Sequence, residues 1–236
     1  MVEALLNVQD KQNFKQDTLS MFIKQIVLAS QSEIRRKILE SSGLPFVTIK
    51  SDVDETLINF KDPRVLAFKR AEAKSIAVAK QESSSLVIGC DQTLSCEGQK
   101  LTKPKTSDQA IKHIEFLSGK KHILHSAIFL SVASGEQVIP LEELSFVTDC
   151  ELYMRTLSKK EIANYVSLNQ WKGCVGAYRI EESGIHLFEE RSDQNFTGIM
   201  GLPLMPLLSR IRNLGINLFL NTQGPWALEL ESKEAL

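Results

Sequence analysis

Apolar runs alternate with helix-like repeats along this chain. Short runs rich in Ile, Val and Leu, such as KQIVLAS at 24–30 and SLVIGC at 85–90, predict buried strands. From Pro63 to Lys80, alanine and aliphatic residues recur at helical spacing with lysines on the opposite face, which predicts an amphipathic helix. The alternation of the two patterns predicts a mixed α/β protein.

Polar residues mark where further helices are expected to begin. Ser30, followed three residues later by Glu33, has the form of a capping box and predicts a helix that closes at Ser42-Gly43. Ser107 is the predicted N-cap of a helix that ends near Ser118. Two more helices are predicted, one after Ser158 and one from about Pro203.

The middle of the chain carries the strongest β pattern. Two long strand-like stretches, 122–134 and 145–157, are joined near Gly135, and the Glu-Gly pair that ends at Gly98 has the form of a hairpin tip. GIHLFEE at 184–190 is expected to add β structure. Strands this long, and so often joined as hairpins, predict a mixed sheet and exclude a purely parallel one.

The composition narrows the class of protein. With 28 basic and 29 acidic residues, the net charge is near zero, which argues against binding to a nucleic acid polymer. No apolar run approaches the roughly 18 to 20 residues of a membrane span, and no secretory leader is recognised, so a cytoplasmic protein is expected. Reduced thiols without metal-ligand spacing are predicted for the four cysteines, Cys90, Cys96, Cys150 and Cys174.

The chain length suits a single folded unit. It has 236 residues, of which 43% are hydrophobic, enough for one large lobe or two small ones. The ends are more polar and only weakly patterned. We therefore predict one domain at 21–216, between an N-terminal extension at 1–20 and a C-terminal extension at 217–236.

A candidate anion site lies at the first strand-turn-helix segment. The N-terminus of a helix presents unpaired N–H groups and partial positive charge, and Ser30 and Ser32 add hydroxyl donors there. Arg35 and Arg36 add fixed positive charges that match phosphate oxygens. The commoner alternative is an amphipathic helix with two arginines on its solvent face, and the spacing alone does not decide between them.

Carboxylates and lysines supply the remaining candidate chemistry. Glu55 ends the acidic segment SDVDE, and Asp91 follows the predicted strand at 85–90, where oxygen ligands could hold Mg²⁺ against phosphates. Lys74 in RAEAK and Lys103 in LTKPK could deliver ammonium groups to the same cleft. The alternatives are ordinary: a solvated acidic loop, a turn aspartate and surface lysines.

These segments together resemble the Maf family of nucleoside triphosphate pyrophosphatases. Between Leu28 and Leu214 the chain carries, in order, the motifs LASQSEIRR, VDE, RAEAK, VIGCDQ, KPK, SGKKH, ANYV, GAY and GLPL. Each motif is weak alone, and the combination is specific. The resemblance implies a Maf/ITPase-like two-lobed α/β fold with an extended mixed sheet and a central cleft.

The resemblance also implies a reaction and its residues. Family members cleave a nucleoside triphosphate between the α and β phosphates, giving the monophosphate and pyrophosphate with a divalent cation, Mg or Mn. Asp91 would accept a proton from the attacking water, and Glu55 and Asp91 would hold the metal. The implied phosphate-binding residues are Ser30, Ser32, Arg35, Arg36, Lys74 and Lys103. The family often dimerises, which makes a homodimer an expectation.

Three positions bear on the base of the substrate. Gln92 and Glu181 resemble the branch that acts on 7-methyl-GTP, although Ile34 stands where that branch usually has an aromatic residue. A carboxylate at 181 can accept hydrogen bonds from a guanine edge. The alternatives are a dTTP- or UTP-preferring enzyme of the same family, an inosine triphosphate-cleaving enzyme of the related fold, and a nucleotide-binding regulatory protein with little turnover.

Overall fold

One mixed β-sheet organises the chain. The computed structural model describes residues 23–190 and 192–216, so the extensions predicted at 1–20 and 217–236 lie outside the described residues. In the described part the sheet has seven strands: β1 (Gln25–Ala29), β2 (Val47–Thr48), β3 (Ser85–Cys96), β4 (Gln99–Leu101), β5 (Lys121–Ser134), β6 (Gln137–Pro140) and β7 (Phe146–Tyr153). Six α-helices accompany it over the same residues: α1 (Glu33–Glu40), α2 (Pro63–Ala79), α3 (Ser107–Leu117), α4 (Lys159–Ser167), α5 (Phe196–Ile199) and α6 (Leu204–Arg212).

Parallel and antiparallel pairings share the sheet. β1 runs parallel to β2 and β3, whereas β5 runs antiparallel to β3, β6 and β7. β3 and β5 pair over their whole shared length, from Ser85 opposite Ala133 to Ser95 opposite Ile123. β4 folds back on β3 through the tip at Gly98, whose φ is +75°. The predicted α/β class and mixed sheet are confirmed.

Two predicted helix starts are displaced by one or two residues. Ser32, not Ser30, caps α1: its hydroxyl accepts from Arg35 N, while the Ser30 hydroxyl accepts from Ser32 N at 3.2 Å within the turn. Similarly, Thr106, not Ser107, caps α3 by accepting from the backbone N–H of Gln109 at 3.2 Å. In each case the sequence offers two hydroxyl residues that could act as the N-cap. The residue that caps the helix in the structure, Ser32 or Thr106, has the extended backbone that an N-cap requires.

Two predictions about β structure were wrong. β3 does not end at Asp91 but continues to Cys96, because β5 supplies a partner, with Asp91 opposite Ala127. The apolar segment 184–190 is not a strand: it contains the 3-10 helix Ser183–Leu187, and only Phe188 forms a bridge, to Met154. Tertiary pairing, which local pattern does not report, decides both cases.

Two large hydrophobic cores lie along the same strands. The first packs α1 and α6 against β1 and the beginning of β3, and includes Ile88 and Ile128. The second packs α3 and α4 against the end of β3, the beginning of β5 and β7, and includes Leu94 and Leu124. These cores correspond to the two predicted lobes. No helix in residues 23–190 and 192–216 is long and apolar enough to cross a membrane.

Small residues bring α2 unusually close to the sheet. A Cβ placed on Gly89 of β3 would lie 2.1 Å from the carbonyl oxygen of Ala71 on α2, so only glycine allows this approach. Beside it, the Ser75 hydroxyl donates to Val87 O at 3.1 Å and shares a 2.6 Å hydrogen bond with Ser131. The contact carries Lys74, one residue earlier on α2, to the middle of β3.

Candidate active site

A cleft of about 790 Å³ is lined by residues from both lobes. One part of its lining, the charged lining, consists of hydroxyl, acidic and basic side chains from the β1–α1 turn, α1, α2, β3 and two loops: Ser30, Ser32, Arg35, Glu55, Lys74, Asp91 and Lys103. A second part, the apolar lining, consists of residues that belong to the second core or pack against it: Leu124, Val175, Tyr178, Ile180 and Ile199. The structure therefore brings together the residues that the sequence singled out, with the exception of Arg36.

The centre of the charged lining is a lysine between two carboxylates. Lys74 Nζ lies 2.6 Å from Asp91 Oδ1 and 2.7 Å from Glu55 Oε1. Lys74 is 8% exposed and Asp91 6%, whereas Glu55 is half-buried. The second oxygen of Asp91, Oδ2, is buried and has no hydrogen-bond partner among the described residues. A buried carboxylate oxygen without a partner is costly unless a ligand or water meets it.

Neighbouring cations act on the Glu55 carboxyl. Partial burial raises its pKa, but the hydrogen bond and charge of Lys74, with the charges of Arg70 and Lys103, outweigh burial and hold the pKa below its usual range. Lys103 itself is exposed and lies after β4, before the buried Pro104. Glu55 is therefore ionised at neutral pH in a site rich in positive charge.

Arg70 on α2 holds the segment that carries Glu55. Its Nη2 donates to Glu55 O at 3.0 Å, and its Nη1 lies 3.7 Å from Glu55 Oε2. Asp54 caps the 3-10 helix Glu55–Leu57 by accepting from Thr56 N at 2.9 Å, and Asp52 forms an exposed ion pair. Of the three carboxylates in SDVDE, only Glu55 therefore lines the cleft. Arg70 was missed as a site residue, although it begins the RAEAK motif.

The two adjacent arginines of α1 have different surroundings. Arg35 donates through Nε to Gly201 O at 3.0 Å and through Nη1 to Cys90 O at 3.1 Å, which fixes the guanidinium beside the cleft. Arg36 instead pairs with Glu40 on the solvent side of α1, with 42% of its side chain exposed. Successive helix residues are rotated by about 100°, so both could not face the cleft in the same way.

The candidate specificity residues differ in whether their side chains are held by other residues or exposed at the cleft. Gln92 Nε2 donates to Ile199 O at 2.8 Å and to Ser126 Oγ at 2.9 Å, so its amide group is held by the second lobe. Glu181 is exposed at the cleft, and Ile34 is half-buried there. Arg179 also lines the cleft and was not predicted; its guanidinium donates to Lys172 O at 3.0 Å.

The histidines lie outside the cleft lining, and of the cysteines only Cys174 belongs to it. His122 is buried and its pKa falls to about 4 because burial disfavours the charged form. Burial likewise raises the pKa of the Cys90 thiol to about 11, so it is protonated at neutral pH. The four cysteines are free thiols. In the described residues no three His, Cys, Asp or Glu side chains are grouped closely enough to form a metal site by themselves.

Comparison with known sequences agrees with this arrangement. The sequence profile of the family described as Maf-like protein matches residues 25–214. The chain is 38% identical over 202 residues to the 7-methyl-GTP pyrophosphatase of Bartonella quintana, covering 83% of this chain and 98% of that protein. It is 35% identical over 199 residues to the nucleoside triphosphate pyrophosphatase of Nitrobacter hamburgensis, covering 82% of this chain and 95% of that protein. The resemblance noted in the motifs is confirmed, and the chain belongs to the Maf family.

Proposed function

We propose that the protein hydrolyses a nucleoside triphosphate to the nucleoside monophosphate and pyrophosphate. Relatives named nucleoside triphosphate pyrophosphatase and 7-methyl-GTP pyrophosphatase, aligned over most of the chain, support this activity. Such an enzyme is a hydrolase acting on phosphoric anhydrides. The observation that carries the proposal for this chain is the buried Lys74, 2.6 Å from Asp91 and 2.7 Å from Glu55 in a cleft large enough for a nucleotide.

The charged lining is suited to a triphosphate. The N-terminus of α1, with the hydroxyls of Ser30 and Ser32, offers hydrogen-bond donors to phosphate oxygens. Arg35 and Lys103 add positive charge to the cleft, and Lys74 adds it beside Asp91. Preorganised donors and cations stabilise the negative charge that develops on the leaving pyrophosphate, which is where most of the rate enhancement is expected.

Asp91 is the proposed proton acceptor. Its Oδ1 is held by Lys74, so the carboxylate cannot rotate freely, and its Oδ2, which has no hydrogen-bond partner among the described residues, is the proposed acceptor. In the proposed step, Asp91 Oδ2 accepts a proton from the water as the water oxygen attacks the α phosphorus. The bond from that phosphorus to the bridging oxygen breaks, and pyrophosphate leaves.

The donor set also fits a divalent cation, with Mg or Mn proposed. Mg²⁺ is usually held by one or two carboxylates together with substrate phosphates, and Asp91 and the half-buried Glu55 provide two carboxylates in one cleft. When bound, the cation would neutralise charge on the phosphates. Arg70 keeps Glu55 at the cleft through the backbone hydrogen bond to Glu55 O.

For the base, we propose a guanine-type edge read by Glu181. Its carboxylate is exposed at the cleft and can accept hydrogen bonds from N1–H and N2–H₂, a pair that uracil and thymine do not offer. Gln92 would contribute indirectly, because its amide holds Ile199 O and Ile199 belongs to the apolar lining. 7-Methyl-GTP is the proposed preferred substrate.

Pyrophosphate release tests the reaction and the base together. The purified chain is assayed with Mg²⁺ or Mn²⁺ against dTTP, UTP, CTP, GTP, ITP and 7-methyl-GTP, beside Asp91→Asn and the matched control Asp52→Asn, which removes an exposed carboxylate outside the cleft. Selective release from 7-methyl-GTP, lost only in Asp91→Asn, is expected. Preference for dTTP or UTP would overturn the base assignment, and no release from any nucleotide would favour a nucleotide-binding regulator.

A further inference from the structure

Tyr178 is the aromatic member of the apolar lining, and its hydroxyl is not directed at the cleft. The hydroxyl shares a 2.8 Å hydrogen bond with His122 Nε2. His122 is 1% exposed and lies on β5, outside the cleft lining. Tyr178 is only 5% exposed, so most of its ring is buried in the second core together with its hydroxyl, and only a small part of the residue lines the cleft.

Three contacts fix that ring. Phe188 packs against it edge to face, with centroids 4.8 Å apart, and also lies 5.8 Å from the imidazole of His122. On another side, a Cβ on Gly176 would lie 2.8 Å from Tyr178 Cε1, so the glycine backbone makes room for the ring. Packing limits the ring laterally, and the hydrogen bond to His122 sets how far it enters the core.

The buried imidazole of His122 is costly to place in a hydrophobic core. Its other nitrogen, Nδ1, is buried and has no hydrogen-bond partner among the described residues, so only the Tyr178 hydroxyl compensates for burying this ring. Burial keeps the imidazole neutral, with a pKa of about 4, and raises the pKa of the Tyr178 hydroxyl well above its usual value. Both partners are thus uncharged at neutral pH, and the hydrogen bond does not change with pH in the physiological range.

We propose that His122 is a positioning residue for substrate selection: it holds the Tyr178 ring from behind as a fixed part of the cleft wall against which the nucleoside packs, without touching the nucleotide. The inference rests on the proposed function, because it assigns the apolar lining to the base and sugar and the charged lining to the triphosphate. Loss of the hydrogen bond frees the ring to shift, which weakens contacts with the nucleoside and leaves the phosphate contacts intact.

Equilibrium binding distinguishes contacts with the nucleoside from contacts with the triphosphate. Calorimetry measures the Kd of a non-hydrolysable α,β-methylene analogue of 7-methyl-GTP, which has both the nucleoside and the triphosphate, and of inorganic tripolyphosphate, which has only the phosphates. His122→Leu is expected to raise the Kd of the analogue about tenfold, since it leaves the buried tyrosine hydroxyl without a partner. The Kd of tripolyphosphate is expected to stay within about twofold.

Conservative and matched variants distinguish positioning from general damage. His122→Gln can place an amide near the Nε2 position and is expected to restore binding of the analogue to within about threefold of the wild type. Adding Tyr178→Phe to His122→Leu removes both polar groups and is expected to recover part of the loss. His125→Leu removes another buried imidazole of β5, bonded to Ser95 and Asp149 instead, and is expected to leave the ratio of the two Kd values unchanged.

The outcomes distinguish failure of the positioning role of His122 from failure of the proposed function. Parallel changes in both Kd values, or an unchanged Kd for the analogue in His122→Leu, would overturn the positioning role. If His122→Leu does not fold, His122→Gln and Tyr178→Phe alone carry the same comparison. A wild type that binds the analogue but releases no pyrophosphate from nucleoside triphosphates would refute the proposed function, while the Kd ratio still decides on His122. A wild type that binds neither ligand would overturn both.

Discussion

Replacing Lys74 with methionine tests how strongly the charged lining depends on one buried cation. Methionine keeps most of the side-chain volume and removes the charge that pairs with Asp91 and Glu55. The Lys74 and Asp91 side chains are 10% and 8% exposed, so Asp91 would lose its partner inside the protein. Breaking such a pair costs about 3 to 5 kcal/mol, and the 40% exposure of the Glu55 side chain favours the lower end, about 3 kcal/mol.

Thermal unfolding at two pH values measures this cost. In a domain of this size, about 3 kcal/mol corresponds to a fall in Tm of roughly 6 to 12 °C at pH 7.5. The folded-state pKa of Glu55 is lowered, so its stabilising contribution is present above the unfolded value of about 4.3 and is lost as the pH falls through the folded value. Since that contribution depends on Lys74, the gap between wild type and variant is expected to narrow below about pH 4.

A matched variant on the same helix provides the control. Lys69 also lies on α2 and pairs with Glu72 at 2.7 Å, but its side chain is 43% exposed, so Lys69→Met is expected to change the Tm by no more than about 3 °C. Equal effects of the two substitutions at pH 7.5 would refute the reasoning. So would a gap for Lys74→Met that widens as the pH falls.

Three further predictions concern single positions. Arg35→Ala is expected to lower kcat/KM about 100-fold and Arg36→Ala less than about threefold, because only Arg35 lines the cleft; equal losses in the pyrophosphate assay would contradict this. Gly89→Ala is expected to destabilise the protein by about 3 kcal/mol in urea unfolding, since its Cβ would lie 2.1 Å from Ala71 O; an unchanged midpoint would show that α2 can move away freely. Glu181→Gln is expected to shift the ratio of kcat/KM values toward pyrimidine triphosphates, and an unchanged nucleotide panel would remove Glu181 from base recognition.

The sequence predicted which residues form the charged lining better than the contacts that those residues make. The helical pattern placed the lysines of α2 on its polar face, and only the order of the motifs indicated that Lys74 and Asp91 share a cleft; in the structure Lys74 is buried. Their direct contact depends on the approach of α2 at Gly89, which is a tertiary property. The adjacent arginines were assigned the same role, although helical geometry alone already separates their directions, and the structure places Arg36 against Glu40.

Other differences arise where local pattern has no access to pairing partners. The residues DQTLSC after Cys90 are too polar to predict a strand, yet β5 is long enough to pair with them through Ser95. The segment 184–190 has the composition of a strand, but only Phe188 forms a β-bridge, to Met154 just after β7. The role proposed for His122 has no local signal, because Tyr178 follows it by 56 residues.

The long ladder between β3 and β5 also constrains how the protein can move. Because both strands run unbroken through the two cores, the lobes have no flexible connection at the sheet about which to rotate. Entry and release of a ligand must then involve segments outside the ladder, such as the loop that carries Glu55 and the 3-10 segments near Tyr178. Amide hydrogens along the whole ladder should exchange with solvent as one slow cooperative unit, in the presence and absence of nucleotide alike.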